Sequence, residues 1–502
     1  MSSSAVPAAP GRAAFRTSLA GLLMALALAS LDQNIVSTAL PRIVGELGGL
    51  AHLSWVVTAF MLTSTATAPL YGKLSDTYGR RPMFVIAIVT FVAGSALCGL
   101  AGSLDGLIVF RGLQGLGAGG LMVLAQTTIG DLVSPRERGR YQGLFTGVFA
   151  LCSVLGPLLG GVITDALSWR WIFYVNLPVG AVALVLIVTG LTTRSGPAPA
   201  GRIDYAGAGL LTAATTCLLL VLSWGGAIYP WVSAPVLGLA ASATMLSIVL
   251  VLRERVAPEA VLPMPLFRNR VFAVAVAVTA ITATALFGAF VFLPTYFQLV
   301  MGESPSRAGL LTAPLMAGLI AASIVGGRVV SALGRYKPLA LVGFSLATAG
   351  FFAMAWGVAA GSGLVFIEAV LIVMGAGLGL VMPNLTVAIQ NAVPRAELGA
   401  ATSAASFFRS LGGALGVAVS GAMLSARIES FLAASGSPLA VRHAATTAFA
   451  EIAQLPPEAR AAIVEAYRQA IGATFLTGAG IAALGLGALF LLPELPLRDA
   501  RS

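Results

Sequence analysis

An aspartate and an arginine stand where charges are rare in this chain. Asp32 lies in Leu31-Asp32-Gln33-Asn34-Ile35-Val36-Ser37-Thr38-Ala39-Leu40-Pro41, and Arg111 in Arg111-Gly112-Leu113-Gln114-Gly115. Both fall inside long apolar stretches, where a charge at mid-bilayer costs about 2.5–3.5 kcal/mol on insertion scales. Asp32 precedes Pro41 by nine residues and Arg111 follows Asp105 by six. At about 1.5 Å per helical residue the two sit roughly 9–14 Å below one surface, a common depth that permits an ion pair. The chemistry this allows is proton exchange at a carboxylate. Arg111 would hold the acid ionised until substrate or a conformational change disturbs the pair. A permanent ion pair locking two helices is the alternative.

Further polar residues are spaced to line a cavity. Asn34, Ser37 and Thr38 fall at i, i+3 and i+4 on one helix face. Asp32 is rotated from Asn34 by about 200° at about 100° per residue, so the acid and the polar stripe point to different neighbours. Gln114 shares the face of Arg111. Glu368, about six residues into its span, is a candidate cation- or proton-binding group, and Arg409 lies deep in another span with no depth-matched acid. Asn34, Ser37, Gln114, Glu368 and Arg409 are therefore the candidates for a substrate cavity, with stacking on Phe407 or Phe408 an alternative for Arg409.

The loop from Gly72 to Pro82 carries Gly72, Asp76, Gly79, Arg80 and Arg81. Asp76 can accept hydrogen bonds from a helix N-terminus or from Arg80, a latch that must break when helical bundles move. Gly115 to Gly120 satisfies G-x-G-x-x-G, but it lies inside a span with no preceding strand, so close helix packing through small residues replaces a dinucleotide site. The same packing is expected of Gly156-Pro157-Leu158-Leu159-Gly160-Gly161, where Pro157 adds a bend.

What is missing narrows the chemistry. Lys73 and Lys337 are the only lysines and neither has a Walker A context, so ATP hydrolysis by this chain is excluded. No nucleophile motif or catalytic dyad emerges, and His52 and His443 lack ligand-spaced neighbours, so neither an enzyme nor a metal site is expected. Cys98, Cys152 and Cys217 read as packing residues. No cofactor is implied beyond an external energy source such as a proton gradient.

These residues need helices in a bilayer to hold them. Of 502 residues, 58% are apolar and 10% charged, and mean hydropathy is +0.94, which excludes a soluble globular chain. The pattern gives an all-α polytopic membrane protein with fourteen spans, at about 17–40, 52–71, 83–103, 107–130, 141–164, 171–191, 205–224, 232–252, 271–297, 308–332, 338–358, 363–389, 399–425 and 472–492. With the N-terminus inside, twenty of the 29 Lys and Arg residues fall in cytoplasmic segments, the positive-inside bias of a cell (inner) membrane protein with both termini cytoplasmic. That placement, and not nucleic acid, explains the net charge of +10. The long segment 426–470 is placed outside. Pro457-Glu458 reads as a helix start, and Ile463, Tyr467, Ala470 and Ile471 as an apolar stripe. A solvated helix is the simpler reading there, and a docking surface for a partner such as a periplasmic adaptor the alternative.

The chain also repeats itself. Gly72-Lys73 and Gly79-Arg80 return as Gly327-Arg328 and Gly334-Arg335 at an offset of 255 residues, and Pro135-Arg136 with Gly139 and Gly156 as Pro394-Arg395 with Gly399 and Gly416, the glycines at an offset of 260 and the Pro-Arg pair at 259. Repeated halves mark secondary transporters that rock one bundle against the other. The division expected is a tail 1–16, a six-helix bundle 17–191, linkers and an inserted pair of helices in 192–270 (the pair at about 205–252), a second six-helix bundle 271–492, and a tail 493–502.

With these motifs together, the chain resembles the major facilitator superfamily (MFS), in particular its fourteen-helix drug:proton antiporter branch of the QacA/EmrB type, over roughly 17–492. Gly72 to Pro82 resembles the family's loop signature between helices two and three, Leu107 to Gly120 its fourth-helix arginine motif, and Gly147 to Gly161 its antiporter motif. Leu31 to Pro41 and Trp169 to Pro178 resemble segments of helix one and the entry to helix six. The resemblance implies the MFS fold and proton-driven export, with Asp32 and Arg111 in coupling and a gating latch around Asp76 and Arg80. Departures are Asn34 and Ser37, where the branch commonly has Thr and Asn, and Ser331 in place of an acid in the second-half echo. The expected activity is proton-coupled export of drugs or other amphipathic small molecules, with lipid bilayer, substrate and protons as partners. Export of an endogenous metabolite or lipid, and a non-transporting receptor or assembly subunit, are the alternatives.

Overall fold

A computed structural model describes residues 12–47, 53–191, 204–226, 228–257, 260–394, 397–435 and 456–497. His52, His443 and the side chains of Ser37, Thr38 and Pro157 lie outside the described residues. Fourteen long helices follow one another: α1 (Arg12–Leu47), α2 (Leu53–Tyr78), α3 (Arg80–Gly99), α4 (Leu104–Leu132), α5 (Pro135–Ala166), α6 (Trp171–Gly190), α7 (Tyr205–Trp224), α8 (Ala234–Val256), α9 (Arg270–Phe290), α10 (Ala313–Leu333), α11 (Lys337–Ala359), α12 (Leu364–Asn391), α13 (Leu398–Ser435) and α14 (Pro457–Phe490). Each of the fourteen expected spans falls on one of them.

Thirteen described stretches are long and apolar enough to cross a membrane. The remaining helix, α2, is lowered in hydropathy by its hydroxyls. Thr63, Ser64 and Thr67 return them to the carbonyls of Ala59, Met61 and Thr63 at 3.0, 3.1 and 2.8 Å, which satisfies them without water. Elsewhere the ends are set by polar caps. Ser103 accepts from the Gly106 amide, Asp204 from Gly207, and Asn269 from Val271 and Phe272. Gly79, between α2 and α3, has φ +93°, a conformation glycine adopts without a Cβ penalty.

The packing repeats with a shift of eight helices. Helix α1 packs on α4, α5 and α6, as α9 does on α12, α13 and α14; α2 packs on α4 as α10 does on α12; α3 packs on α4 and α6 as α11 does on α12 and α14. The pair α7–α8 packs on itself and leans on α2 and α13, with Trp55 and Trp224 edge to face at 5.8 Å.

Two helix pairs make most of the contact between the repeats, α5 with α10 and α2 with α13, and smaller contacts of α5 with α12 and α4 with α13 flank them. A Cβ on Gly327 would meet the Gly139 carbonyl, and one on Gly72 the Gly399 carbonyl and Ser403. Four glycines of the sequence repeat thus meet crosswise, each abutting the copy of the other motif: Gly72 with Gly399 and Gly139 with Gly327. Gly143 packs likewise against the Ser323 carbonyl. Farther along α5 the same face is uncovered: Leu158 is 61% exposed and a Cβ on Gly161 would meet no atom within 4 Å. The repeats are therefore closed at the end bearing Gly72 and parted at the other. Close packing expected along the whole Gly156–Gly161 stretch holds at Gly156, which abuts Asn34, but not at Gly161, because the facing bundle has drawn away there.

The segment 426–470 differs from a loop. Helix α13 runs on to Ser435, and α14 begins at Pro457 with Glu458 in its first turn. Ile463, Ala470 and Ile471 are fully buried, and Ile463 and Ala470 pack with Ile428, Leu424 and Phe431 of α13. The expected solvated helix is corrected: its apolar stripe is covered by the extension of α13. Residues 436–455 fall outside the described residues.

Candidate functional site

Asp32 is fully buried on the face of α1 turned to α4 and α6. Arg111 Nη1 donates to its Oδ2 at 2.6 Å, and Gln114 Nε2 and Asn176 Nδ2 both donate to its Oδ1 at 2.8 Å. The carboxylate thus faces donors from two neighbouring helices, the surroundings of an anion held by charge-assisted hydrogen bonds. Arg111 is itself held on all sides. It donates to the Val56 carbonyl at 3.2 Å and to Gln114 Oε1 at 2.8 Å, and its guanidinium lies 4.1 Å from the centre of the Phe60 ring. Asn176 also donates to Ser95 Oγ, which donates to the Phe173 carbonyl at 2.8 Å. Five helices, α1, α2, α3, α4 and α6, therefore meet in one polar network.

The glycines of α4 permit this approach. A Cβ on Gly115 would meet Thr63 and the Phe60 carbonyl of α2, one on Gly117 would meet Ala87 and Phe91 of α3, and one on Gly119 the Ser64 carbonyl. The packing role read for Gly115–Gly120 is in place.

Gln114 does not belong to a cavity. It is fully buried, with its amide spent on Asp32 and its carbonyl on Arg111. The helical face shared with Arg111 turns into the bundle, which corrects the cavity assignment. Asn34 points elsewhere than Asp32, as the helical rotation requires: it is half-buried against Gly156 of α5, and its Nδ2 donates to the Ser30 carbonyl at 2.7 Å. Glu368 is half-buried one turn into α12 and has no hydrogen-bond or ion-pair partner among the described residues. Arg409 is half-buried and likewise without one. It stacks on neither phenylalanine; Phe408 packs instead on Phe267 and Phe407, at 6.0 and 5.3 Å.

A second polar constellation closes the end bearing Gly72. Asp76 Oδ1 and Oδ2 accept from the amides of Gly399 and Ala400 at 3.0 and 2.9 Å, the unpaired first-turn donors of α13. Arg80 Nη2 lies 2.7 Å from Asp76 and Arg80 Nε 2.8 Å from Asp131, and Arg80 also donates to the Ser75 hydroxyl. Arg81 makes no such bond among the described residues. Across the same seam Arg138 donates to the Gln390 carbonyl at 3.0 Å and Gln390 Nε2 to the Gln126 carbonyl at 3.1 Å, while within its own bundle Arg138 also donates to the Gly130 carbonyl at 2.6 Å. Sequence reasoning passed over Asn176, Asp131, Arg138 and Gln390. An uncharged amide inside a span was the available signal for Asn176 and Gln390; Arg138 looked like one more topogenic charge.

At the opposite end Glu46 pairs with Arg170 and accepts from Trp169 Nε1 at 2.6 Å. The Arg170 and Trp169 hydrogen bonds hold its carboxyl below the ordinary Glu range, outweighing a slight desolvation.

Residues 22–417 match the model of the family described as Major Facilitator Superfamily. The chain is 41% identical over 423 residues to the multidrug transporter protein MdtP of Bacillus subtilis, covering 84% of this chain and 78% of that one. It is 35% identical over 405 residues to multidrug resistance protein 3 of the same organism, covering 80% and 78%. It is 33% identical over 525 residues to the MFS-type efflux pump LUC4 of a Fusarium species, covering 98% and 90%. Among solved structures, the human organic anion transporter MFSD10 superposes with a TM-score of 0.65 at 16% identity, covering 94% of this chain and 99% of that one. The proton:xylose symporter XylE does so with a TM-score of 0.60 at 14% identity, covering 96% of each. Both share the fold. The family match and these relatives make the protein a multi-pass membrane transporter and not an enzyme: the chain belongs to the Major Facilitator Superfamily.

Proposed function

We propose that this protein is a proton-coupled antiporter that exports drugs or other amphipathic small molecules across a cell (inner) membrane by alternating access, with both termini cytoplasmic. The observation that carries the reading is the fully buried Asp32 held by Arg111, Gln114 and Asn176. The names of its relatives support drug efflux.

In this reading the closed end is cytoplasmic and the parted end faces outward. A proton entering from outside neutralises Asp32, which weakens its hold on Arg111 and frees α1 to shift against α4 and α6. Helix α1 carries Asn34 against Gly156 on its other side, and α5 carries Gly139 into the seam with Gly327. A displacement of α1 thereby reaches the seam through packed backbone, and the Asp76 latch on α13 must release for the cytoplasmic end to open. Asn34 and Arg409 are then candidates to contact substrate in the space between the bundles, and Glu368 to stand near its outer mouth.

Everted vesicles with an imposed acid-inside gradient test this. The wild-type protein is expected to concentrate a fluorescent amphipathic dye, and collapse of the gradient to release it. Asp32→Asn is expected to abolish gradient-driven accumulation. Undiminished accumulation by that variant would remove the proton role, and no accumulation of any amphipathic dye by the wild type would remove the export reading.

A further inference from the structure

On the lateral edge of the closed seam, a pocket of about 590 Å³ is framed by the start of α1, the start of α5 and the end of α10. Three exposed arginines surround it, Arg16, Arg140 and Arg328, one from each helix. None has a carboxylate or hydrogen-bond partner among the described residues, and no acid lines the pocket. The floor is apolar. Phe15 and Tyr141 pack edge to face at 5.6 Å, the Arg140 guanidinium stands 6.0 Å from the Tyr141 ring, and one aliphatic side chain from each helix completes the lining.

Three like charges around one pocket repel one another and are left without an internal counter-ion. The apolar floor continues onto the sides of membrane helices, where acyl chains lie. We propose that this pocket binds the phosphate headgroup of an anionic phospholipid from the adjoining leaflet, its acyl chains lying along α1 and α10. Basic pockets between transmembrane helices suit such headgroups through charge and through the paired donors of guanidinium.

The site also reports on conformation. Arg140 and Arg328 each follow a glycine of the Gly139–Gly327 contact. Arg16 and Arg140 belong to the first repeat and Arg328 to the second, so the three converge only while that contact is made. Anionic lipid therefore favours the state closed at this end. This inference does not depend on what the protein exports or on proton coupling.

Native mass spectrometry and thermal melting of the purified full-length protein in detergent, titrated with phosphatidylglycerol or phosphatidylcholine, test it. Phosphatidylglycerol is expected to remain bound and raise Tm, and phosphatidylcholine to do neither. Neutralising Arg140 and Arg328 together (R140Q/R328Q) is expected to weaken phosphatidylglycerol binding by about fivefold per arginine. Arg268→Gln, a charge on the same side but outside the pocket, is expected to leave it unchanged. Equal loss in the Arg268 variant, or undiminished binding in R140Q/R328Q at intact folding, overturns the site. A soluble phosphate such as glycerol 3-phosphate matching the lipid's effect at equal concentration overturns the lipid assignment and makes the ligand a free phosphate compound.

Discussion

The Asp32 carboxylate depends on its donors unequally, and that ordering can be measured. Arg111→Ala leaves a buried anion without its counter-charge and is expected to destabilise the protein by about 3–5 kcal/mol. Asn176→Ala removes a neutral donor and the Ser95 link and is expected to cost about 1–3 kcal/mol. Denaturant unfolding in micelles should rank the two in that order, and the reverse ranking would mean that Arg111 is not what keeps the acid in place. The pairing partners were legible because two charges at matched depth in apolar spans are rare. Gln114 was read into the wrong compartment because a helical face gives direction relative to Arg111 but not what lies in that direction. Asn176 escaped because a polar residue two before Pro178, near a helix start, looks like an end signal.

Helix pairing explains why glycines of similar sequence setting behave differently. At Gly327 a Cβ would run into the Gly139 carbonyl, which belongs to a packed backbone and cannot swing aside. Gly327→Ala is therefore expected to loosen the seam at a cost of about 1–3 kcal/mol. It should also speed maleimide labelling of a cysteine introduced at Ser323 in a cysteine-free background. Gly161→Ala, which meets open space, should change neither stability nor labelling. Equal effects from the two substitutions would contradict the parted geometry of α5. The echo of Gly72 and Gly139 in Gly327 and Gly399 was visible in the sequence, and so were nearly all helix positions, since apolar length fixes a span. Their crosswise meeting was not, because no local pattern says which helices of one repeat face the other. The extension of α13 past residue 426 escaped for a related reason: Ile428 and Phe431 find their partners only when α14 returns beside them.

Over the whole molecule, the parted end is stapled within the first bundle by Glu46 and Arg170 rather than across the two bundles. The Glu46 carboxyl is held below its ordinary value, so the unfolded chain takes up its proton first as pH falls. The stability it adds is present above the ordinary Glu value and is lost as pH drops from there through the lowered one. Melting temperatures of wild type and Glu46→Gln should differ by a small constant amount from pH 5 to 8 and converge below about pH 4. A gap that widened on acidification would reverse the sign of this pair. The twofold plan itself adds a constraint. Gly72 against Gly399 and Gly139 against Gly327 are two rivets of the same kind, each joining one copy of the first motif to one copy of the second. Undoing one alone would skew the bundles about the other and grind the remaining helices together. On the proposed alternating-access reading, entry from that end demands that both let go in concert, which makes a leaky, half-unfastened intermediate costly and keeps the two faces of the membrane from being connected at once.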